Sequence, residues 1–442
     1  MRIYRCLSLM VLLMLLGASF LLLPTQADLT WSIQTVDKNG ATGSRSIVLD
    51  SNNNPHIAYC DYENGNWHNP LYVMYASWNG SDWNIENVTQ GRGSIDLALD
   101  SNNNPHIVFN DGTGRLLYAS FDSTGWNIQT VDNDGSSGSL ALDSAGNPHI
   151  AYLTTRRALR YASWTATGWR IQPVDSSEIF DMNLVSLALD ASNNPHILYG
   201  YNTPGSQNIL TIVKYAAYNS SGWYTQTVVS DAAVGGLGNI ALDSNGYPHF
   251  TYIFPRINRT YGSPQYTNLN TTLTYVSWNG SAWNTQKVAS NVNWRGLAGY
   301  LALDSHNYPH IAYYNSTPDG YSGALMYSSW TGTAWDTQTV DSNSSLDAGP
   351  IALDSNGTPH IAYLGQPVIP SNYVAYLKYA ITTEPTQTPT PTATSAVGFP
   401  LNLLSPWIAV PVITVIVLIA LAYFWKKKIG KAKKESTTLA KT

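Results

Sequence analysis

The sequence predicts an all-β fold, a seven-bladed β-propeller of four-stranded antiparallel blades, because one hairpin motif recurs seven times along the chain. The motif joins a short apolar run and an Asp to a polar turn and Pro-His, as in residues 97–109, which read LALDSNNNPHIVF. A Tyr-Ala-Ser-like run and a Trp-x-x-Gln-x-Val-like run accompany each hairpin, which makes four short strands in each repeat. The repeat period ranges from 43 residues (Asp100 to Asp143) to 61 residues (Asp243 to Asp304), a spacing typical of propeller blades.

The order of these runs predicts how the ring closes. Six of the Trp runs follow their hairpin, but the seventh, Trp31 to Val36, precedes the first hairpin. We therefore expect this N-terminal strand to complete the last blade as its outer strand, beside Tyr376–Ala380.

Within each hairpin, pairing across a five-residue loop is expected to set Asp100 opposite His106 and Leu99 opposite Ile107. Each repeat histidine is expected to hydrogen-bond the Asp across its own turn and so to fix the hairpin. A shared metal ring is disfavoured, because zinc needs ligands that converge on one point and these copies are separated by whole blades. No metal and no other cofactor is predicted. The seven pairs are Asp50 with His56, Asp100 with His106, Asp143 with His149, Asp190 with His196, Asp243 with His249, Asp304 with His310, and Asp354 with His360.

Composition fits an extracellular all-β protein without disulfides. The chain has 442 residues, of which 12% are charged and 12% are aromatic. Of its two cysteines, Cys6 lies in the predicted N-terminal targeting segment and Cys60 stands alone, so no disulfide is expected within the mature domain.

Both ends of the chain read as targeting and membrane segments. Residues 1–27 combine a basic start with an apolar run and are predicted to be a signal peptide, the alternative being an uncleaved anchor. The propeller ectodomain is predicted over 28–381, a Thr/Pro-rich stalk over 382–403, a transmembrane helix over 404–425 and a basic tail over 426–442. Basic residues stay on the cytoplasmic side, so we expect a single-pass membrane protein of the cell surface with an extracellular propeller and a cytoplasmic C-terminus. The acidic ectodomain argues against nucleic acid as a partner.

Asn-x-Ser/Thr sequons are frequent in the predicted ectodomain. In a secreted chain they are candidate N-glycosylation sites, although Asn, Ser and Thr are also simply abundant here. The nine are Asn79, Asn87, Asn219, Asn258, Asn270, Asn279, Asn315, Asn343 and Asn356.

The two faces of the predicted ring differ. We label the strands of a blade a to d in chain order. The a–b and c–d turns lie on one face, here called the turn face, and are short and uniform. The b–c and d–a connections lie on the opposite face, the loop face, and vary greatly in length. Because binding residues in scaffolded folds concentrate on variable loops, the loop face is the predicted binding surface.

Arginines and aromatic residues in these connections are the predicted ligand contacts, since both residue types are common in glycan and protein interfaces. Packing within the loops is the alternative role for any one of them. The predicted ligand-binding residues are Trp67, Arg156, Arg157, Tyr201, Arg256, Arg259, Tyr261, Trp294, Arg295 and Tyr321. Arg45, Arg92 and Arg160 also fall at these connections.

Two segments resemble parts of known propeller families. The hairpin at residues 352–357, Ala-Leu-Asp-Ser-Asn-Gly, is similar to NHL-type repeats. The turn at 120–126, Ser-Phe-Asp-Ser-Thr-Gly-Trp, resembles the place where sialidase-type (BNR) propellers carry their Asp box, with a different spacing. The resemblance implies a propeller over residues 31–381 and transfers no catalytic residue. The layout of the whole chain is similar to that of archaeal and bacterial surface proteins.

These patterns favour a membrane-anchored binding module for a glycan or a surface protein. One alternative is an extracellular polysaccharide hydrolase or lyase, which would need opposed carboxyl groups at the loop face. Another is a passive structural protein of the cell envelope. The carboxylates that could serve an enzyme are Asp61, Glu63, Asp111, Glu178, Asp181 and Asp319.

Overall fold

The computed structural model of the chain covers the ring of strands in detail. The residues it describes are 29–62, 71–156, 158–176, 185–202, 211–232, 234, 236–254, 271–290, 292, 299–316, 323–342, 348–365 and 375–383. All of them belong to one compact unit, Met1–Pro385.

Every regular element among the described residues is a β-strand. In chain order the strands are β1 (Thr30–Leu49), β2 (Pro55–Tyr62), β3 (Leu71–Trp78), β4 (Trp83–Gln90), β5 (Arg92–Leu99), β6 (Pro105–Asn110), β7 (Leu116–Asp122), β8 (Gly125–Asp132), β9 (Ser137–Leu142), β10 (Pro148–Leu153), β11 (Leu159–Thr165), β12 (Gly168–Asp175), β13 (Val185–Leu189), β14 (Pro195–Asn202), β15 (Thr211–Asn219), β16 (Gly222–Ala232), β17 (Gly236–Leu237), β18 (Ala241–Leu242), β19 (Pro248–Phe254), β20 (Thr272–Trp278), β21 (Trp283–Ser290), β22 (Tyr300–Leu303), β23 (Pro309–Ser316), β24 (Gly323–Trp330), β25 (Trp335–Asp341), β26 (Ile351–Leu353), β27 (Pro359–Gly365) and β28 (Ala375–Thr383).

The strands form seven antiparallel blades, as predicted. Blades 2, 3, 4 and 6 are four-stranded sheets, namely β5–β8, β9–β12, β13–β16 and β22–β25. In blade 5 two short inner strands, β17 and β18, share one neighbour, β19. The inner strands contact one another in the order β1, β5, β9, β13, β18, β22, β26 and back to β1, so the sheets close into a ring. The chain is a seven-bladed β-propeller.

Strand β1 belongs to two blades and closes the ring. Its first half pairs with β28, with Trp31 opposite Thr382 and Ile33 opposite Ala380, and is therefore the outer strand of blade 7. Its second half pairs with β2 and is the inner strand of blade 1. The predicted closure by the N-terminal strand is confirmed.

The predicted hairpin register is wrong by two residues. Leu99 pairs with Pro105 and Ala98 with His106, whereas Asp100 has left the ladder for the turn. The Asp100 carboxylate accepts the backbone N–H groups of Asn102 and Asn104, each at 2.8 Å, and the Asp100 N–H donates to the Asn104 carbonyl at 3.0 Å. A shift of two keeps every side chain on its predicted face, because the strand period is two.

This turn has one left-handed position in every blade. Asn103, with φ 64°, occupies it in blade 2, and Gly146, with φ 81°, occupies it in blade 3. Asn and Gly are the residues that adopt this conformation at least cost. The Asn/Gly-rich turns of the repeat therefore follow from backbone conformation.

The repeat histidines bond mainly to tyrosines. His360 Nδ1 and the Tyr379 hydroxyl are 2.6 Å apart, and the other six histidines form the same bond with the Tyr of strand c in their own blade. His56 Nε2 lies 3.7 Å from Asp50 Oδ2, a contact longer than a hydrogen bond. The predicted Asp–His hydrogen bond is thus absent for this pair, and the Asp50 carboxylate accepts hydrogen bonds from Asn52 and Asn54 of its turn.

The core lies between adjacent blades and contains the repeated aromatic residues. Tyr75 of blade 1 meets Trp126 of blade 2 edge-on, with ring centroids 5.5 Å apart, and Tyr118 meets Trp169 in the same way at 5.4 Å. Such edge-to-face pairs add to the stabilisation from burial of apolar area. Each interface thus uses one Tyr and one Trp of the repeat.

The predicted signal peptide (1–27), the transmembrane helix (404–425) and the basic tail (426–442) lie outside the described residues. Within the described ranges, no helix has the length and apolar character needed to cross a bilayer. Strand β28 extends to Thr383, two residues into the predicted stalk.

Candidate functional site

The seven blades surround a central cavity of about 640 Å³. Its wall is formed by the first halves of the inner strands, which begin at the loop face and end at the turn face. The cavity therefore lies in the half of the channel nearer the loop face. Each blade contributes one residue at a common level, and these are Ser46, Asp96, Ser139, Ser186, Asn239, Tyr300 and Pro350.

Asp96 is the one carboxylate at this level, and the surrounding wall holds it in place. Its Oδ1 accepts hydrogen bonds from the Ser46 hydroxyl at 2.9 Å and from the Leu97 N–H at 3.0 Å. Its Oδ2 accepts from the Ser139 hydroxyl and the Leu140 N–H, both at 2.9 Å. Burial raises the pKa of Asp96, although these hydrogen bonds act in the opposite direction. The side chain thereby joins blades 1, 2 and 3.

Similar hydrogen bonds continue around the channel. The Ser139 and Ser186 hydroxyl oxygens accept the backbone N–H of Leu187 and Ile240 in the next blade, at 3.0 and 3.1 Å. Asn239 Oδ1 accepts the Leu301 N–H at 2.7 Å. Several polar side chains of the wall are thus already engaged in holding neighbouring blades together.

Arg45 completes the connection between blades 7 and 1. Its side chain is 3% exposed, and it donates to the carbonyls of Ala362 at 3.1 Å and Ala348 at 2.6 Å. The sequence placed this arginine among the loop-face cations, but the structure gives it a buried role between blades.

Asp–Tyr pairs, which the sequence analysis missed, tie neighbouring blades together near the loop face. The hydroxyl of Tyr363 in blade 7 donates to Asp341 of blade 6 at 2.7 Å, and Lys378 Nζ lies 3.0 Å from the same oxygen. Tyr152 donates to Asp132 at 2.5 Å. The signal was present in the sequence, because a Val-Asp ends several Trp runs and a Tyr ends several His runs.

Arg160 and Arg156 are close in sequence but differ in their surroundings. Arg160 Nη1 lies 2.7 Å from Asp132 Oδ2, so this arginine belongs to an interblade ion pair. Arg156 is exposed at the b–c turn of blade 3. The Thr155 backbone and hydroxyl groups donate to Asp134, and these bonds, with the nearby arginines, hold the pKa of Asp134 below its ordinary value. Of the two arginines, Arg156 is thus the one that faces solvent, whereas Arg160 is held in the ion pair.

The candidate carboxylates that the structure describes do not form a general acid/base pair. Asp61 is 6% exposed, and burial together with Asp37 raises its pKa to about 7. Asp111 accepts the N–H groups of its own turn and pairs with Arg115 Nε at 2.6 Å, which holds its pKa well below the ordinary value. Glu63, Glu178, Asp181 and Asp319 lie outside the described residues.

Most of the predicted ligand contacts also lie outside the described residues. Arg156 is exposed, and Tyr201 lies near the loop-face end of β14. The described part of the chain therefore gathers no cluster of the predicted contacts. The predicted contacts that it does not cover are Trp67, Arg157, Arg256, Arg259, Tyr261, Trp294, Arg295 and Tyr321.

The sequons that the structure describes are mostly accessible. Asn315 is half-buried, and Asn258, Asn270 and Asn343 lie outside the described ranges. The exposed ones are Asn79, Asn87, Asn219, Asn279 and Asn356.

No protein-family model and no curated protein matches the chain. Among solved structures it is similar to an ulvan lyase of polysaccharide lyase family PL25, with a TM-score of 0.52, 13% identity, and 78% of this chain and 94% of that chain covered. That lyase has also been solved bound to -[GlcA(1-4)Rha3S]-. A fungal alcohol oxidase of the AA5 family, in complex with copper, matches with a TM-score of 0.50, 11% identity, and coverage of 83% and 79%. A lectin of Aleuria aurantia in complex with Fucα1-6GlcNAc matches with a TM-score of 0.43, 11% identity, and coverage of 70% and 98%. At these identities the likeness extends to the propeller fold alone.

Proposed function

We propose that the protein is a membrane-anchored, extracellular binding module that holds a glycan or a surface protein at its loop face. The observation that carries the proposal is the central cavity of about 640 Å³ in the loop-face half of the channel. Pockets of this size accommodate small ligands or the projecting group of a larger one. The binding surface would be formed by the mouth of this cavity and the connections around it.

The unequal connections on the two faces support the same surface. Five residues separate strands a and b in every blade, as between Leu99 and Pro105. Strands b and c are separated by five residues in blade 2, from Asn110 to Leu116, and by seventeen in blade 5, from Phe254 to Thr272. A constant frame with connections of different length on one side is the arrangement that binding scaffolds use.

The side chains of the described loop face suit binding better than catalysis. Asp61 is buried and Asp111 is paired with Arg115, so neither presents an exposed, unpaired carboxylate to a substrate. Arg156 remains exposed and can donate to a carboxylate, a sulfate or a carbonyl of a partner.

The proposal is tested by measuring whether the full-length protein, in detergent micelles, binds any member of a panel of glycans and candidate surface proteins. We expect one class of ligand to bind, and we expect Arg156→Ala, Trp67→Ala or Arg256→Ala to weaken its binding. Ser101→Ala, an exposed change on the turn face, is the matched control and should leave the Kd unchanged.

Three results would contradict the proposal. Binding that survives all three loop-face changes would exclude this face. Release of shortened products from a glycan would make the protein a hydrolase or lyase. Absence of any binding would favour a passive role in the envelope.

The membrane placement has its own experiment. Protease added to intact cells should remove the propeller while the basic tail (426–442), detected by an antibody, stays protected. Protection of the propeller would contradict the cell-surface placement.

A further inference from the structure

A second cavity lies away from the loop face, between blades 4 and 5. It is a groove of about 490 Å³ bordered by two a–b turns, which places it on the turn face. Blade 4 contributes Ser192 and Tyr224, and blade 5 contributes Tyr247, Trp278 and Trp283. We call it the 4/5 groove.

The repeat changes at two positions of the 4/5 groove. The first is the residue that directly follows the strand-d tryptophan. Among the seven residues at this position, one in each blade, Tyr224 is the aromatic one. The seven are Ser32, Asn84, Asn127, Arg170, Tyr224, Asn284 and Asp336. Tyr224 is 44% exposed, so the fold does not need this ring for its core.

The second change is in the turn, directly before the Pro-His. Blades 1 to 4 have Asn there, and Asn54 and Asn194 each donate a side-chain hydrogen bond to the Asp that starts the turn, at 3.0 and 2.9 Å. Blade 5 has Tyr247, which lacks the side-chain amide that forms this bond. An added Cβ at Gly280 would lie 2.7 Å from the Tyr247 hydroxyl, so the glycine leaves the space that this hydroxyl borders. Both changes thus place a tyrosine in the same groove.

The rings of the 4/5 groove support one another. Tyr224 meets Tyr215 edge-on at 6.2 Å, Tyr215 meets Trp283 at 5.8 Å, and Trp278 lies 5.2 Å from Trp283. Burial, followed by the neighbouring Tyr224, raises the pKa of Tyr215. The groove therefore offers preorganised aromatic surface to a ligand.

A glutamine side chain also borders this groove. In blades 1 and 4 the strand-d indole N–H donates to the glutamine of the preceding blade, as Trp83 does to Gln34 and Trp223 to Gln172, both at 3.1 Å. Gln226 is the corresponding glutamine for Trp283, but the Trp283 N–H has no hydrogen-bond partner among the described residues, and the same holds for Trp31, Trp169 and Trp335. Gln226 borders the groove and is exposed to solvent.

The charged groups that line the groove indicate which class of ligand it can bind. No Lys or Arg is among the described residues that line it. The Asp190 carboxylate is occupied by its own turn, since it accepts hydrogen bonds from the Ser192 N–H at 2.8 Å and from Asn194. A ligand with sulfate or carboxylate groups would find no cation here. A neutral sugar would set its C–H-rich face on the aromatic rings and its hydroxyls against Gln226 and the turn.

We propose that the 4/5 groove is a binding site for a neutral oligosaccharide, distinct from the loop-face site. The test uses full-length protein from a host that attaches no N-linked glycans, because the Asn279 sequon directly follows Trp278, which lines the groove. An array of neutral and acidic oligosaccharides identifies the ligand, and calorimetry gives its Kd.

Two variants restore the repeat and so should keep the fold intact. Tyr224→Asn introduces the residue of blades 1, 2 and 5, and Tyr247→Asn introduces that of blades 1 to 4. Each is expected to raise the Kd for the neutral oligosaccharide at least tenfold. Tyr308→Asn makes the same turn change in blade 6, outside the groove, and should leave the Kd unchanged.

The proposal is overturned if no neutral oligosaccharide binds, or if binding survives both restoring variants. Arg156→Ala separates the two sites, because it should weaken the loop-face ligand and leave the groove ligand unaffected. Loss of groove binding with Arg156→Ala but not with Tyr224→Asn would assign the sugar to the loop face and would also overturn this proposal.

Discussion

The hydroxyl of Tyr199 in blade 4 donates to the carboxylate of Asp175 in blade 3 over 2.7 Å. The Lys214 ammonium lies 2.8 Å from the same carboxylate oxygen. Because Asp175 ends the outer strand of one blade while Tyr199 and Lys214 belong to the next, this contact joins two separate sheets. Polar pairs of this kind supplement the apolar packing between blades.

Tyr199→Phe should lower the free energy of unfolding by about 1–2 kcal/mol, because the largely buried Asp175 loses one hydrogen-bond donor. The expected signal is a fall of a few degrees in the Tm measured by circular dichroism. Tyr218→Phe, which removes a hydroxyl from a more exposed tyrosine, is the control and should leave the Tm unchanged. Equal Tm values for the two variants would show that the interblade bond contributes nothing.

A cysteine pair at positions 32 and 381 should crosslink the two ends of the propeller. Ser32 and Ile381 are directly opposed in the β1–β28 ladder. In the variant carrying Ser32→Cys and Ile381→Cys, mild oxidation is expected to form a disulfide and to raise the Tm, because the crosslink restricts a very long loop of the unfolded chain. After cleavage in an internal loop, the fragments should stay joined on a non-reducing gel.

The single variant Ser32→Cys is the matched control, since the native Cys60 thiol is buried and its pKa is raised to about 12. Fragments that separate without reductant in the double variant would contradict the closure of blade 7 by β1.

Acid should destabilise the propeller through its repeat histidines. Burial lowers the pKa of all seven, and for His360 the value falls to about 4. The unfolded chain binds a proton near pH 6.5 while the folded His360 stays neutral, so stability is lost as the pH falls from about 6.5 towards 4. For His360 alone the loss is about 3 kcal/mol over this window.

The measurement is the Tm between pH 8 and pH 4.5, for the native protein and for His360→Gln. The variant should show a shallower dependence on pH, and His306→Gln, at an exposed histidine, should not. A Tm that depends on pH as steeply in His360→Gln as in the native protein between pH 6.5 and pH 5 would contradict the prediction.

Asp61→Asn should stabilise the protein at pH 8 and have little effect at pH 4. Burial and Asp37 raise the pKa of Asp61 to about 7, so the folded chain keeps a proton that the unfolded chain releases near pH 4. Stability is therefore lost as the pH rises from about 4 through 7, and removal of the charge restores up to about 4 kcal/mol at pH 8. Chemical denaturation at the two pH values measures the difference.

Asp111→Asn provides the comparison of opposite sign. Asp111 has a lowered pKa because of its turn and Arg115, so the amide should lower stability at pH 8. The Asp61 prediction fails if Asp61→Asn is destabilising at pH 8.

The sequence alone was sufficient for the architecture, because each repeat encodes its own strands and turns locally. Apolar alternation marks the strands, and the Asn or Gly of each turn supplies the left-handed residue that closes it. The displaced Trp31 run also revealed the closure, since a propeller needs its first and last strands in one sheet. The strands and turns depend on residues that are close in the chain, and the ring closure follows from the number and order of the repeated runs.

The tertiary structure decided the contacts between blades. The two-residue correction of the hairpin register came from the Asp100 carboxylate, which bonds the turn backbone in place of His106. Arg45 falls at a loop-face connection in the sequence, but its side chain is buried against the carbonyls of another blade. The 4/5 groove was not predicted, because Tyr224 and Tyr247 are 23 positions apart and meet only when two blades pack side by side. Such contacts between residues of different blades depend on how the blades pack in the ring, and no local sequence pattern predicts them.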